Sequence, residues 1–292
     1  MSESTASLNA PLRDLRVLVT RALQQAELLT ELLTKLGAKV VEIPVISIEQ
    51  PDSWIMADNS LHNLSKYDWI IFASSNAVNS LLSRCSYLGI AKERLTNCKL
   101  AAMGKATAAA LEKHGLEPNF VPTTFVAESF IEEFPGYPDG LKGARILWPR
   151  TNIGRNLIAD KFVFAGAAVD VIETYKTTSP EDQDEVAAKL AKLLKSNGVD
   201  VIVLASGQSV RNLAELAVIG LMREEAGTLA ADAHSRILSR YLDPVIIVTI
   251  GPQTSLAAKD SLGRVDVEAQ EHTTEGIIKA LIEHVEGCAA RD

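Results

Sequence analysis

Six short polar clusters sit where apolar runs end: Thr20-Arg21, Ser74-Ser75-Asn76, Gly104-Lys105, Pro149-Arg150, Ser206-Gly207-Gln208 and Gly251-Pro252. A helix start offers free backbone N–H groups and the positive end of the helix dipole, so it draws anions. One exposed contact of this kind contributes about 0.3–1 kcal/mol, so several must converge to hold a ligand. Taken singly, each cluster reads as an ordinary cap, because Ser, Thr, Asn and Gly are favoured there. Taken together in matched positions, they form a cradle for several carboxylates that needs few basic side chains. Tyr175, within Glu173–Thr177 (ETYKT), can donate a hydrogen bond or act as a weak acid. It can equally be an amphipathic strand residue with a polar tip. Arg21 and Arg150 either bind carboxylates or anchor adjacent acidic helices, and the structural role is slightly favoured.

Other chemistries lack their residues. No GxGxxG follows an apolar run, and no GxxxxGK[ST] occurs; Met103–Thr107 (MGKAT) has a Gly-Lys without the preceding glycine loop. The five histidines, His62, His114, His234, His272 and His284, include no pair at ligand spacing and read as solvated surface residues. Asp182, Asp184 and Glu185 open a helix, where negative charge complements the dipole. Ala205–Ser209 (ASGQS) has serine and glycine in the wrong order for a nucleophile elbow. Cys85 lies on an apolar helical face and reads as core. No cofactor and no metal are expected.

The elements that must position these residues alternate between strand and helix. Val17–Val19 is a short apolar strand, and Ala22, Ala26, Leu29, Leu33 and Leu36 then recur at helical spacing up to Gly37. Val40–Ile48, Trp69–Ala73 and Leu100–Met103 are further strands, the last leading to a helix ended by Gly115. Ile146–Trp148, Val169–Ile172, Val201–Leu204 and Val245–Ile250 continue the series. Pro252 opens a helix that stops at Gly263. Leu216–Asp243 reads as helical with a break near Gly227. Nearly continuous apolar strands alternating with helices mean an α/β fold, its parallel sheets flanked by helices on both faces. Ligands on such sheets bind beyond the carboxyl ends of the strands, which is where the polar clusters lie.

The series is also a repeat. VLVTR (Val17–Arg21), GAKVVEIPVIS (Gly37–Ser47), DWIIFASSNAV (Asp68–Val78), GKAT (Gly104–Thr107) and VAESFIEEF (Val126–Phe134) return as ILWPR (Ile146–Arg150), GAAVDVIETYK (Gly166–Lys176), DVIVLASGQSV (Asp200–Val210), GPQT (Gly251–Thr254) and TEGIIKAL (Thr274–Leu281). The offset is 129 residues from Arg21 to Arg150 and from Gly37 to Gly166, and 147 from Thr107 to Thr254. The second copy therefore carries extra residues, placed near 214–243. Two similar domains with a ligand cleft between them are expected. Ile43–Ser47 and Glu173–Thr177 occupy equivalent positions and are read as a two-stranded linker. Crossing there exchanges the opening strand–helix–strand of the two copies. The expected map is a discontinuous domain, 1–45 plus 176–292, and an inserted domain, 46–175.

The chain of 292 residues is 47% hydrophobic, enough for two packed domains. Its net charge of −8 argues against general nucleic-acid binding. Three cysteines without CxxC spacing fit a reducing compartment rather than a disulfide framework. The polar opening MSESTASLNAPLRDL lacks a signal core, residues 1–13 read as a flexible tail, and no apolar run reaches bilayer-spanning length. A cytoplasmic protein that contacts neither nucleic acid nor membrane is expected.

In this order, VLVTR, the Ile-Pro-Val strand, DWIIFASSNAV, MGKAT, ETYKTT, VIVLASGQSV and TIGPQTS resemble the uroporphyrinogen-III synthase family from about Val17 to Val285. IGPxT and the Glu-Thr-Tyr strand carry most of the weight. The resemblance implies a two-domain enzyme, a cyclising hydro-lyase of tetrapyrrole and heme biosynthesis. It implies hydroxymethylbilane, a linear tetrapyrrole polycarboxylate, as substrate, and closure to uroporphyrinogen III with loss of water and inversion of the terminal pyrrole ring. No cofactor is implied. A monomer is expected, with the upstream hydroxymethylbilane synthase as a candidate partner.

By the same resemblance Tyr175 matches a cleft tyrosine proposed to assist loss of the hydroxyl. Thr107 and Thr254 match cleft threonines, Ser74 and Ser206 match serines at strand ends, and Lys105, Gln208 and Gln253 are further substrate-facing candidates. The chain departs from the family pattern at Ala73-Ser74, where a Thr-Ser pair is common, and at Ser206-Gly207, where Ser-Pro is usual. The competing readings are a two-domain carboxylate-binding or regulatory module without catalysis, and a nucleotide-sugar transferase. The transferase is disfavoured by length and by the lack of a diphosphate site.

Overall fold

The computed structural model describes residues 10–225 and 233–289. In chain order the elements are β1 (Arg16–Val19), α1 (Leu23–Lys35), β2 (Lys39–Glu42), β3 (Ser47–Glu49), α2 (Ile55–His62), β4 (Trp69–Phe72), α3 (Ser75–Tyr87), β5 (Lys99–Ala102), α4 (Lys105–Lys113) and α5 (Ala127–Glu133). They continue as β6 (Arg145–Thr151), α6 (Leu157–Phe164), β7 (Ala168–Thr178), α7 (Gln183–Lys195), β8 (Val201–Leu204), α8 (Gly207–Glu225), α9 (Ala233–Leu242), β9 (Ile246–Thr249), α10 (Pro252–Leu262), β10 (Val267–Glu268) and α11 (Thr274–Ala289). Among the described residues, no helix is long and apolar enough to cross a membrane.

The chain divides into two compact units: a discontinuous one, up to Ser47 and from Thr178 onward, and a contiguous one, Ile48–Thr177. These divisions fall two residues beyond the positions 45 and 175 expected from the repeat. Each unit carries one five-stranded sheet, ordered β10-β9-β8-β1-β2 in the first and β3-β7-β6-β4-β5 in the second. β1 runs parallel to β2 and β8, β8 to β9, and β9 to β10. β4 runs parallel to β5 and β6, and β6 to β7. The opening strand of each copy thus pairs with a later strand of the other, Val17 opposite Val201 and Trp69 opposite Ile146.

In the contiguous unit alternate residues of β4 serve opposite faces, as the strand period of two requires. Ile70 and Phe72 enter a core with Val78, Leu81 and Leu111. Trp69 and Ile71 enter a second core with Phe130, Phe134 and Phe162. The ring centroids of Phe134 lie 4.7 Å from those of both Trp69 and Phe162. In the discontinuous unit Leu29 and Leu33 of α1 and Ile277 and Leu281 of α11 pack with Val17, Val19, Val201 and Val203. Gly263 ends α10 in the left-handed conformation at φ 85°, the stop that its position predicts.

Two departures concern the stretches expected to form the linker. Val40–Ile48 is not one strand: β2 ends at Glu42, and pairing resumes only at Ser47. Pro44 lies in the gap, and its missing N–H removes a ladder donor. The stretch beside β7 is therefore Ser47–Glu49 rather than Ile43–Ser47. β7, by contrast, runs from Ala168 to Thr178 and takes in both Val169–Ile172 and Glu173–Thr177, the stretches expected to be strand. Of the region near Leu216–Asp243, α8 and α9 are helical, while Gly227 lies outside the described residues.

Candidate active site

Tyr175 owes its direction to an irregularity in β7. Arg150 of β6 pairs with Glu173, but the next residue, Thr151, pairs with Tyr175, so Thr174 is an extra residue on β7. Such a bulge re-aims the side chains that follow it. Ile172 and Tyr175 consequently pack in the same core three residues apart, whereas a regular strand would place them on opposite faces. Thr174 is fully buried, and its hydroxyl donates to the Arg150 carbonyl at 3.5 Å.

The re-aimed phenol meets the N-cap of α3. Ser74 Oγ accepts from the Ala77 N–H at 3.2 Å and shares a 2.9 Å hydrogen bond with Tyr175 Oη. Burial raises the Tyr175 pKa, while hydrogen bonding to Ser74, the positive charge of Arg150 and hydrogen bonding to Asn76 pull it down. Burial prevails, so the phenol stays protonated at neutral pH and can serve as a hydrogen-bond donor or acid. Beside it lies a cavity of about 240 Å³ whose walls include Ser74, Met103, Trp148, Arg150, Thr151 and Tyr175. All of them belong to the contiguous unit; Ser74 and Met103 lie just beyond the carboxyl ends of β4 and β5, and Arg150 and Thr151 close β6.

The other candidates on this unit stand apart from that cavity. Lys105 opens α4 with its ammonium 5.9 Å from the Phe125 ring centroid, and it is exposed. Thr107, in the first turn of the same helix, is 5% exposed. Its hydroxyl has no hydrogen-bond partner among the described residues, yet it is not sealed from solvent.

On the discontinuous unit, Thr254 repeats that situation in the first turn of α10. It is 4% exposed, with a hydroxyl likewise unpartnered among the described residues and unsealed. Gln253 beside it is exposed. Ser206 caps α8 reciprocally with Ser209: the Ser209 N–H donates to Ser206 Oγ at 3.1 Å, and the Ser206 N–H to Ser209 Oγ at 3.2 Å. Gln208 donates to Asn212 Oδ1 at 2.7 Å and accepts from Arg211 at 2.9 Å, and Asn212 donates to the Val45 carbonyl at 2.8 Å. A Cβ on Gly251 would stand 2.6 Å from the His272 ring, which would have to move to admit it.

Arg150 is the residue that sequence reasoning undervalued. It anchors no acidic helix: its guanidinium donates to the Arg155 and Ile153 carbonyls at 3.0 and 3.2 Å and to Asn156 Oδ1 at 2.9 Å. It lies 4.6 Å from the Trp148 ring centroid and is 8% exposed. Burial lowers its pKa, with the neighbouring Tyr175 phenol opposing that shift. Arg21, its repeat equivalent, donates to Thr274 Oγ1 at 3.4 Å, and burial lowers its pKa too. Neither arginine has a carboxylate within ion-pair distance among the described residues. The usable signal was the shared position of two arginines at equivalent strand ends.

The family model described as "Uroporphyrinogen-III synthase HemD" matches residues 27–279. The uroporphyrinogen-III synthase of Synechococcus elongatus is 32% identical over 275 residues, covering 93% of this chain and 96% of that protein. That of Chlorobaculum parvum is 27% identical over 270 residues, covering 91% and 98%. In fold, a crystal structure of a mutant Thermus thermophilus uroporphyrinogen III synthase superposes with a TM-score of 0.62 at 20% identity, covering 94% of this chain and 99% of that one. The Helicobacter pylori enzyme superposes with a TM-score of 0.51 at 11% identity, covering 93% and 99%. With its strand-end site and these matches over nearly its whole length, the chain belongs to the uroporphyrinogen-III synthase family.

Proposed function

We propose that this chain is a uroporphyrinogen-III synthase that closes hydroxymethylbilane to uroporphyrinogen III, with loss of water and inversion of the terminal pyrrole ring. The near full-length relation to the Synechococcus elongatus enzyme carries this reading. The Tyr175–Ser74 pair supplies chemistry that suits it.

Departure of the terminal hydroxyl as water needs a proton on its oxygen. The Tyr175 phenol, protonated at neutral pH, donates to that oxygen as the carbon–oxygen bond breaks. Ser74 and the Arg150 charge stabilise the phenolate that develops. Electrons from the pyrrole nitrogen fill in behind the departing oxygen, giving an azafulvene cation. The far pyrrole attacks that cation at its substituted carbon, and the spiro intermediate fragments and re-closes with the ring inverted. The proton lost from carbon when aromaticity returns balances the one that Tyr175 supplied. Holding a flexible chain in one conformation is catalysis by positioning. Thr107 and Thr254, whose hydroxyls keep their hydrogen-bonding capacity, are substrate contacts in this reading, as are Lys105, Ser206, Gln208 and Gln253.

The same reading expects a cytoplasmic monomer supplied by hydroxymethylbilane synthase. The free, buried thiols of Cys85 and Cys98 suit a reducing compartment, and burial pushes Cys85 up to about 11. Incubation of the protein with enzymatically made hydroxymethylbilane, followed by separation of the oxidised isomers, should give the type III product. Type I product alone would refute the assignment.

A further inference from the structure

Arg150 is a buried cation with no counter-charge within ion-pair distance among the described residues. A guanidinium has five N–H donors. Three of those on Arg150 are taken by the Thr151–Asn156 loop, two from Nη1 and one from Nη2. The Nε–H and the second Nη2–H have no acceptor among the described residues. Nε is not sealed either, since the sealed and unpartnered side-chain nitrogen here is Trp148 Nε1. Two arginines elsewhere in this chain grip a carboxylate bidentately, and both use Nε and Nη2. Arg84 holds Asp58 through them at 2.7 and 2.6 Å, and Arg16 holds Asp200 at 2.8 and 2.5 Å.

The loop is built to approach Arg150 closely. Gly154, at φ +132°, lies where a Cβ would stand 2.5 Å from Nη2. The indole of Trp148 covers another side of the guanidinium. Such a preset planar fork matches a carboxylate. The adjoining cavity of about 240 Å³ is smaller than the roughly 300–1,000 Å³ typical of whole-ligand pockets, so it suits one arm of a larger molecule.

We propose that Arg150 binds substrate, clasping one carboxylate arm of a polycarboxylate through Nε and Nη2 in the cavity it shares with Ser74 and Tyr175. The identity of the polycarboxylate rests on the cyclase reading; the carboxylate chemistry of the socket does not.

Sodium propionate is the probe, titrated at constant ionic strength against chloride, with Trp148 emission as the signal and Trp148→Phe identifying it among the three tryptophans. The wild-type protein should show a saturable response. Arg150→Gln should raise the propionate midpoint about tenfold or more, the scale of a lost charge-assisted pair. Arg150→Lys, which keeps the charge but not the fork, should raise it less and serves if the glutamine variant fails to fold. With hydroxymethylbilane, both variants should raise KM more than they lower kcat. An absent wild-type response, midpoints unchanged in the variants, or inorganic phosphate binding as tightly as propionate would overturn the proposal. Propionate binding without type III product would sink the cyclase reading and leave the socket standing; type III product with an unchanged KM in both variants would do the reverse.

Discussion

Replacing Tyr175 by phenylalanine removes one oxygen from the site and little else. The ring stays in its core with Ile70, Phe72 and Ile172. The 2.9 Å hydrogen bond to Ser74 is lost, as is the one to Asn76, but Ser74 Oγ still accepts from Ala77 and so stays partnered. The net stability cost of each such hydrogen bond is about 0.5–1.5 kcal/mol, a fall in melting temperature of about 2–4 °C per kcal/mol for a chain of this size. An acid that protonates a leaving group contributes about 10²–10⁴ in rate, equivalent to about 2.7–5.4 kcal/mol of barrier. Turnover should therefore fall far more than stability. The assay is a rapid-quench single turnover of hydroxymethylbilane with separated isomers, read beside a thermal melt. Because uncatalysed closure gives the type I isomer, the type III fraction should fall together with the rate. Burial holds the phenol protonated past its ordinary value of 10.0, so the wild-type rate should not decline through loss of this acid below about that pH. A type III rate within about threefold of wild type would remove Tyr175 from the chemistry.

Other outcomes follow from packing and charge. A Cβ on Gly220 of α8 would stand 2.0 Å from the Ala187 carbonyl oxygen of α7, a backbone atom that cannot swing aside, so Gly220→Ala should destabilise by about 1–3 kcal/mol or more in a denaturant melt. Phe134→Ala, which empties the centre of the cluster with Trp69 and Phe162, should cost about 3–5 kcal/mol. The Arg84 hydrogen bond lowers the Asp58 pKa below its ordinary value of 3.8. Its stabilisation is thus present above that value and lost as pH falls through the lower, folded-state pKa. Asp58→Asn should reduce the acid sensitivity of the melting temperature in that window; an identical profile would show that the pair contributes nothing.

What could be read from the residues depended on whether a local pattern fixed the outcome. Val201–Leu204 is a strand with the predicted bounds because four consecutive apolar residues can bury both faces only inside a parallel sheet. Pro44 was a readable warning that Val40–Ile48 could not be one strand. The bulge at Thr174 left no such mark, since an unpaired residue is defined by the partner strand, and nothing in Glu-Thr-Tyr-Lys states which residue Thr151 will face. Tyr175 could be singled out by type and position, but its meeting with Ser74 depended on that unseen register shift. For Arg150 the sequence leaves carboxylate binding and a structural anchor side by side; the loop carbonyls that hold it come from backbone, which sequence does not distinguish from any other.

The exchange of opening strands also orders events during synthesis. Arg16 and Asp200, which clasp each other beside the β1–β8 pairing, are 184 residues apart. At about 5–20 residues per second, β1 leaves the ribosome long before its neighbour exists. The contiguous unit needs only Ile48–Thr177 and is complete in the nascent chain while β1 and β2 still have one unmatched edge. Tyr175 and Ser74 can therefore be in register before the discontinuous unit can close its sheet. Truncated chains released after Thr177 would carry the cavity beside Tyr175 and an apolar strand edge together, a combination that favours aggregation.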